Sequence, residues 1–238
     1  MKLHWKTELP LLVLIAGMFL AALLLSSNAP ERFPVHWGMN GQVDRYGGRF
    51  EGLWLDPIMA LALYGLMLLL PRLDPGRRNY ERFAGAYYTI RAAVIAMLAI
   101  LYVVTQLSAR GVPVDMPRFV GITIGGMIFV MGNVLGKLRP NWFFGVRTPW
   151  TLSSKRSWTK THRLAGWIFV FGGIALMIAG AVHTDAAMIT AFALFMAGVL
   201  VTVVYSYVVW RSDPDRVPPA GTLPSNGEAE SEGIRPTR

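Results

Sequence analysis

The sequence predicts an all-α integral membrane protein, a bundle of six transmembrane helices with the N-terminus and C-terminus inside. Hydrophobic residues make up 53% of the 238 residues. Charged residues make up only 16%, against about 25% in soluble domains. Six apolar runs are long enough to cross about 30 Å of hydrocarbon. Lys and Arg are concentrated in alternate connecting segments, as the positive-inside rule requires.

Each apolar run is expected to form a helix, because no backbone group can stay unpaired in lipid. The first run is predicted to be a retained anchor, since it exceeds the usual apolar core of a signal peptide. The second run is the weakest candidate for a membrane span. Asp56-Pro57 resembles a helix start, which leaves a short span before Pro71 unless the helix begins before Pro57. The predicted spans are residues 9–27, 53–70, 84–108, 118–136, 164–182 and 186–210.

The distribution of Lys and Arg explains the net charge of +9. Most of these residues fall in segments predicted to lie inside, including residues 71–83 and 137–163, so the charge reflects topology and gives no sign of direct nucleic-acid binding. The polar, Pro-rich tail, residues 211–238, lacks apolar residues to bury and is expected to be disordered. The basic residues of the predicted outside segments are Arg32, Arg45, Arg49, Arg110 and Arg118.

The sequence offers no set of residues suited to catalysis or to metal binding. There are no cysteines, and none of the four histidines has a second ligand at metal-binding spacing. No nucleophile-elbow motif occurs, and no pair of carboxylates lies within the predicted spans. We therefore expect no metal, no cofactor and no enzymatic activity.

Two features inside the predicted spans leave alternatives open. Arg91 lies near the cytoplasmic end of the third span, where a long side chain can snorkel to the headgroups or form a structural pair. A charge within a span can also mark a functional site. Glycines spaced along two spans fit close helix packing within one chain or a homo-oligomer. They are Gly121, Gly125, Gly132 and Gly136 in the fourth span and Gly166, Gly173 and Gly180 in the fifth.

The first outside loop, residues 28–50, combines aromatic residues with several glycines. Asn40-Gly41 predicts a tight turn. A folded surface loop with its Trp and Tyr at the membrane interface accounts for this composition. The residues that a binding role would involve are Pro34, His36, Trp37, Gly41 and Asp44.

The inside loop, residues 137–163, is basic and holds three tryptophans. Pro149 prevents a continuous helix, and Ser153 or Ser154 is expected to cap a new one. Anchoring at the interface and attraction to anionic membrane lipids explain this composition without a special function. Four residues are predicted to share one face of the new helix. They are Trp158, Thr161, His162 and Ala165.

The order of residues in the inside loop is a more specific signal than its composition. Asn133, Lys137 and then RPNWFFGVRTPWTLSSKRSWTKTHRLAGWIFVFGG closely resemble the signature of the SdpI family of bacterial membrane proteins. PRLDPGRRNYERF is similar to the same family, and FPVHWGMNGQVDRYGGRF resembles a short domain of unknown function that often precedes the signature. The resemblance divides the chain into an N-terminal two-helix unit (1–70), an SdpI-like four-helix unit (71–210) and the tail (211–238).

The resemblance implies a protein of the bacterial plasma membrane that gives immunity to a secreted antimicrobial peptide toxin. The founding member is understood to capture a transcriptional repressor at the membrane. The outside loop would meet the toxin, and the inside loop would bind a cytoplasmic protein or lock the bundle. Arg147 is the leading candidate because a guanidinium is a fixed charge with a planar fork of donors, although it can also satisfy helix-end carbonyls. The inside-loop candidates are Asn141, Gly145, Arg147, Pro149, Trp150, Trp158, Thr161 and His162.

Two other functions stay open at this point. A small transporter, or a protein that handles lipids or peptides, would need a polar path through the bundle. A membrane signalling scaffold without toxin contact would depend on the inside loop alone. The polar residues available for a path are Arg91, Gln106, Thr123 and Asn133.

Overall fold

The computed structural model describes residues 4–38 and 40–217, and within these ranges six helices are long and apolar enough to cross a membrane. The multi-pass helical fold is confirmed, whereas the orientation of the termini stays a prediction. The spanning helices are α1 (Trp5–Ser26), α3 (Leu55–Leu73), α4 (Ala84–Ala109), α5 (Met116–Leu135), α7 (Lys155–Val182) and α8 (Asp185–Arg211). The short elements are β1 (Phe33–Trp37), β2 (Val43–Gly47), α2 (Arg49–Leu53), a 3-10 helix (Arg77–Phe83) and α6 (Pro149–Leu152).

The second span takes the longer of its two predicted forms. Helix α3 begins at Leu55, before Pro57, and continues through Pro71 to Leu73. The backbone N–H of Ile58 donates to the carbonyl of Trp54 at 3.0 Å, so the helical bonding is in place across the Asp-Pro step. Its 19 residues span about 28 Å at 1.5 Å per residue, close to the thickness of the hydrocarbon core.

A β-hairpin, which the sequence did not predict, follows α1. Strand β1 pairs antiparallel with β2, with Phe33 opposite Gly47. The predicted turn is present at Gly41, whose φ of +76° suits glycine. Phe33 is fully buried and packs so closely on α2 that a Cβ at Gly52 would lie 2.1 Å from its ring. Burial of this side chain ties the hairpin to the bundle.

The helices pack around three apolar clusters. The first joins α1, α3 and the second half of α4, with Ile15 and Tyr102 among its buried residues. The second lies at the opposite end, where the first half of α4 meets α5 and α7 around Tyr87 and Trp158. The third joins α5, α7 and α8. Helix α4 thus contacts both sides of the bundle, and the packing is continuous across the proposed boundary at residue 70.

The predicted glycine rows of α5 and α7 face each other within the chain. A Cβ at Gly132 would lie 2.6 Å from the backbone N of Val170, and one at Gly173 would lie 2.5 Å from that of Phe129. Only residues without a side chain let two backbones approach this closely. The structure therefore bears out the intramolecular use of these glycines.

The segment after α8 departs from the expected start of the disordered tail. Arg211 is the last residue of α8, and Asp213 is buried and accepts a hydrogen bond from the Ser154 hydroxyl. The backbone N–H of Val217 donates to the carbonyl of Ser153 at 3.1 Å. These bonds hold residues 212–217 against the start of α7. Residues 218–238, the rest of the predicted tail, lie outside the described residues.

Replacing Gly173 by Ala is expected to lower the free energy of unfolding by about 1–3 kcal/mol, the usual range for overpacking. The matched control is Gly65→Ala on α3, where nothing lies within 4 Å of an added Cβ. Thermal unfolding in detergent micelles measures both variants. Equal midpoints for Gly173→Ala and the unmodified protein would contradict the close approach of α5 and α7.

Candidate functional site

The signature loop, defined as residues 136–154, is clamped by two stacked side chains of α7. The rings of Trp158 and His162 lie 4.0 Å apart with an interplanar angle of 20°. Trp158 Nε1 donates to the carbonyl of Leu138 at 3.0 Å. The backbone N–H of Val146 donates to His162 Nε2 at 3.1 Å. One turn of α7 thus holds both arms of the loop.

These contacts fix the protonation state of His162. Because Nε2 accepts from Val146, the proton is on Nδ1, which donates to the carbonyl of Trp158 at 2.8 Å. Both side chains are buried, as the shared helix face predicted, and Ser154 caps α7 by accepting from the N–H of Ser157 at 2.8 Å. Thr161 is buried on the same face, and its hydroxyl has no hydrogen-bond partner among the described residues.

Gly145 is required by the contact between the loop and His162. Its φ is +99°, a region that side chains rarely adopt. A Cβ at this position would lie 2.1 Å from His162 Nε2. The glycine therefore lets the loop backbone approach the Nε2 edge of the imidazole closely.

Asn141 shapes the tip of the loop from within. Its Oδ1 accepts from the backbone N–H groups of Phe143 and Phe144 at 3.0 and 2.7 Å. Its Nδ2 donates to the carbonyl of Arg139 at 2.9 Å. Asn141 is 1% exposed, so this predicted site residue acts on the loop itself.

Asp74, which the sequence reasoning did not single out, joins the signature loop to the connection between α3 and α4. Its Oδ2 accepts from the Tyr80 hydroxyl at 2.8 Å and from the backbone N–H of Trp142 at 3.0 Å. Asn79 Nδ2 adds a bond to the carbonyl of Pro140 at 2.8 Å. The quoted stretch at residues 71–83 contains Asp74, Asn79 and Tyr80, so its resemblance to the family was the available signal.

Helix α8 is joined to the other side of the loop. The hydroxyls of Thr148 and Ser206 lie 3.0 Å apart, and Ser157 donates to the carbonyl of Ser206 at 2.7 Å. Thr148 also caps α6, which Pro149 begins at its first position. The ring of Trp150 on α6 meets that of Tyr207 on α8 edge-on at 5.2 Å.

Arg147 differs from these buried residues because it is exposed on the loop. Its Nη1 donates to the carbonyl of Trp142 at 2.6 Å. The acceptor lies in the loop, so Arg147 does not satisfy a helix end there. Trp142 itself is 55% exposed. Together these two side chains present an aromatic ring and a fixed positive charge to the outside of the bundle.

Arg91 forms a structural pair and does not snorkel. It is 1% exposed, and its Nη2 donates to Glu8 Oε1 at 2.5 Å. The Tyr64 hydroxyl donates to the other carboxylate oxygen of Glu8 at 2.8 Å. The rings of Tyr64, Tyr87 and Tyr88 surround the guanidinium with centroids 5.5–6.0 Å away. Glu8 precedes the first apolar run, so sequence reasoning placed it outside the membrane and missed the pair.

Three of the polar residues proposed for a transport path, Arg91, Gln106 and Asn133, do not come together. Gln106 donates to the carbonyl of Gly52 at 2.6 Å, far along α4 from Arg91. Asn133 is exposed and bonds to the carbonyl of Phe129 in its own helix. Among the described residues no group of three or more His, Cys, Asp and Glu could hold a metal ion.

The outside-loop candidates form the hairpin end of the bundle. His36 Nδ1 and Asp44 Oδ1 lie 2.6 Å apart across the two strands, and both side chains are exposed. Pro34 is buried on β1, and Trp37 lines a cavity between the hairpin and the helices. A Cβ on Gly41 would lie 3.7 Å from the ring of Pro117, so the turn approaches the start of α5.

Replacing His162 by Phe is expected to lower the free energy of unfolding by about 1–3 kcal/mol, because the N–H of Val146 loses its acceptor in a buried site. Thermal unfolding in detergent measures the loss. His162→Gln, whose amide oxygen can accept the bond, serves as the comparison. A loss for Gln as large as that for Phe would contradict the role of this hydrogen bond.

Breaking the buried ion pair from either side is expected to destabilise the protein by about 3 kcal/mol, because the remaining charge stays buried and unpaired. The variants are Glu8→Gln, Arg91→Met and the double variant, all measured by thermal unfolding. The double variant is expected to lose less than the two single losses combined. Strictly additive losses would show that the two charges do not interact.

Comparison with known proteins shows which family and which relative the chain resembles. Residues 137–206 match the model of the SdpI/YfhL protein family, and residues 13–61 match the Domain of unknown function (DUF1648). The chain is 20% identical over 206 residues to Immunity protein SdpI of Bacillus subtilis (strain 168), which covers 87% of this chain and 97% of that protein. No solved structure matches the chain. The chain is thus a multi-pass bacterial membrane protein with the SdpI/YfhL signature segment, as its resemblance to that family indicated.

Proposed function

We propose that the chain confers immunity to a secreted antimicrobial peptide toxin at the membrane and transmits a signal through its cytoplasmic loop. The observation that carries this proposal is the similarity to Immunity protein SdpI along 97% of that protein's length. The two family models cover residues 13–61 and 137–206, which contain the hairpin and nearly all of the signature loop, and this coverage supports the proposal.

The signature loop has buried residues that bond to its backbone and exposed residues at its surface. Asn141, Trp158 and His162 are buried and bond to the loop backbone. Arg147 and Trp142 are exposed beside each other. Aromatic and Arg side chains are the residues most enriched at protein-binding hot spots. We therefore assign partner binding to Arg147 and Trp142, and we assign the buried residues to holding them in place.

A signalling scaffold without toxin contact is the second candidate, and the same signature loop favours it. It differs from immunity in what the hairpin does. Toxin contact requires the exposed face of the hairpin, which carries His36 and Asp44. A scaffold would tolerate changes there. Transport receives no support, because Arg91, Gln106 and Asn133 have separate partners.

Arg147→Ala is expected to abolish protection of a toxin-sensitive bacterium challenged with an Sdp-type peptide toxin, if the loop surface is needed for immunity. Arg139→Ala, an exposed Arg in the same loop, is the matched control and should protect as the unmodified protein does. Survival is compared at equal membrane levels. Absence of protection by the unmodified protein would contradict immunity to that toxin.

Substitutions on the hairpin complete the test. Loss of protection in the double variant His36→Ala/Asp44→Asn would favour toxin contact at the hairpin. Full protection by this double variant, together with loss in Arg147→Ala, would favour the scaffold.

A further inference from the structure

A cavity of about 570 Å³ opens between the hairpin and the helices. It exists because α4 changes partner along its length. Near Tyr87 the helix packs on α5 and α7, but near Tyr102 it packs on α1 and α3. The hairpin-end halves of α4 and α5 therefore separate, and β1 covers the gap.

The interior of the cavity is apolar, and its rim is polar. Leu98, Leu101, Ile124, Leu176 and Phe192 line it from four helices. The volume lies within the range of about 300–1,000 Å³ that small-ligand sites occupy. It is large enough for a short apolar segment and too small for a whole folded peptide.

The rim histidines already have acidic partners. His36 is paired with Asp44 at 2.6 Å, and His183 with Asp115 at 2.7 Å. Asp56 is different. It lines the cavity and is half-buried, yet its carboxylate has no hydrogen-bond or ion-pair partner among the described residues. A half-buried carboxylate without a partner favours a cationic ligand, because it has lost water and gained no opposite charge.

Other charges on the rim do not reverse this preference. Arg118 lines the rim but is exposed, so solvent screens it more strongly than Asp56. Asp185, also exposed on the rim, adds a second carboxylate. An anionic lipid headgroup would meet these two acids, so charge favours a cationic peptide over a lipid.

We propose that this cavity binds an apolar peptide segment that carries a cationic group, with the cation at Asp56 and the apolar side chains between α4, α5 and α7. The proposal rests on the proposed immunity function for one point, namely that the natural peptide is the toxin. Apolar cationic peptides are a chemical class that inserts at membrane surfaces.

Binding of a probe peptide to the full chain in lipid nanodiscs tests the site. The probe is a short dansyl-labelled peptide of alternating Leu and Ala that begins with Lys, and its neutral counterpart begins with acetyl-Gln. Asp56→Asn is expected to weaken binding of the cationic probe about tenfold and to leave the neutral probe unchanged. Glu31→Gln, an exposed carboxylate outside the cavity, should change neither.

A second pair of variants tests occupancy of the apolar interior. Val120→Trp places a large ring in the cavity lining and is expected to weaken both probes about tenfold. Ile122→Trp, on an exposed face of the same helix, is the control and should bind as the unmodified protein does. Circular dichroism and thermal unfolding identify variants that fail to fold, and Asp56→Asn conserves side-chain shape.

Binding of both probes to Asp56→Asn and Val120→Trp as to the unmodified protein would overturn the proposal. Displacement of both probes alike by added phosphatidylglycerol would also overturn it, in favour of a lipid site. The survival assay separates the two proposals. Protection retained by Asp56→Asn and Val120→Trp leaves immunity standing without this cavity. Probe binding that depends on Asp56, without protection by the unmodified protein, leaves the cavity standing without immunity.

Discussion

The stacked pair of Trp158 and His162 is the contact on which the signature end of the bundle depends. Trp158 Nε1 donates a hydrogen bond to one arm of the loop, and His162 Nε2 accepts one from the other arm. In this fixed loop the backbone N–H of Trp142 donates to Asp74, and the Thr148 hydroxyl is hydrogen-bonded to that of Ser206. The end of α3 and the spanning helices α7 and α8 are thereby linked through a segment that contains little regular structure.

The two ends of the bundle differ because polar bonding is concentrated at one of them. At the signature end, aromatic packing around Tyr87 and hydrogen bonds to the loop close the space between α4 and α5. At the hairpin end, β1 replaces that packing, and the helices diverge around a cavity. The bundle therefore has a surface held by hydrogen bonds at the end with the signature loop, and a cavity at the end with the hairpin.

The sequence predicted the features that depend on local pattern. Apolar length predicted the six spans, and the choice between Ser153 and Ser154 predicted the start of α7, where Ser154 is the cap. Helical spacing placed Trp158, Thr161 and His162 on one buried face. The features that it missed depend on partners distant in the chain. Glu8 lies 83 residues from Arg91, and hydropathy measures a segment's length without indicating its partners. The hairpin relies on burial of Phe33 against Gly52, a tertiary contact that β-propensity alone does not reveal.

The glycine contact between α5 and α7 has a mechanical consequence. Because backbone meets backbone at Gly132 and Gly173, few flexible side chains lie between the helices to absorb a displacement. Asp115 and His183 bridge the same two helices at one end, and the clamp on Leu138 and Val146 lies at the other. The pair is a stiff lever about one bilayer long. A tilt of this pair at the hairpin end would therefore be carried along its length to the signature loop, where it would strain the bonds from that loop to Asp74 and Ser206.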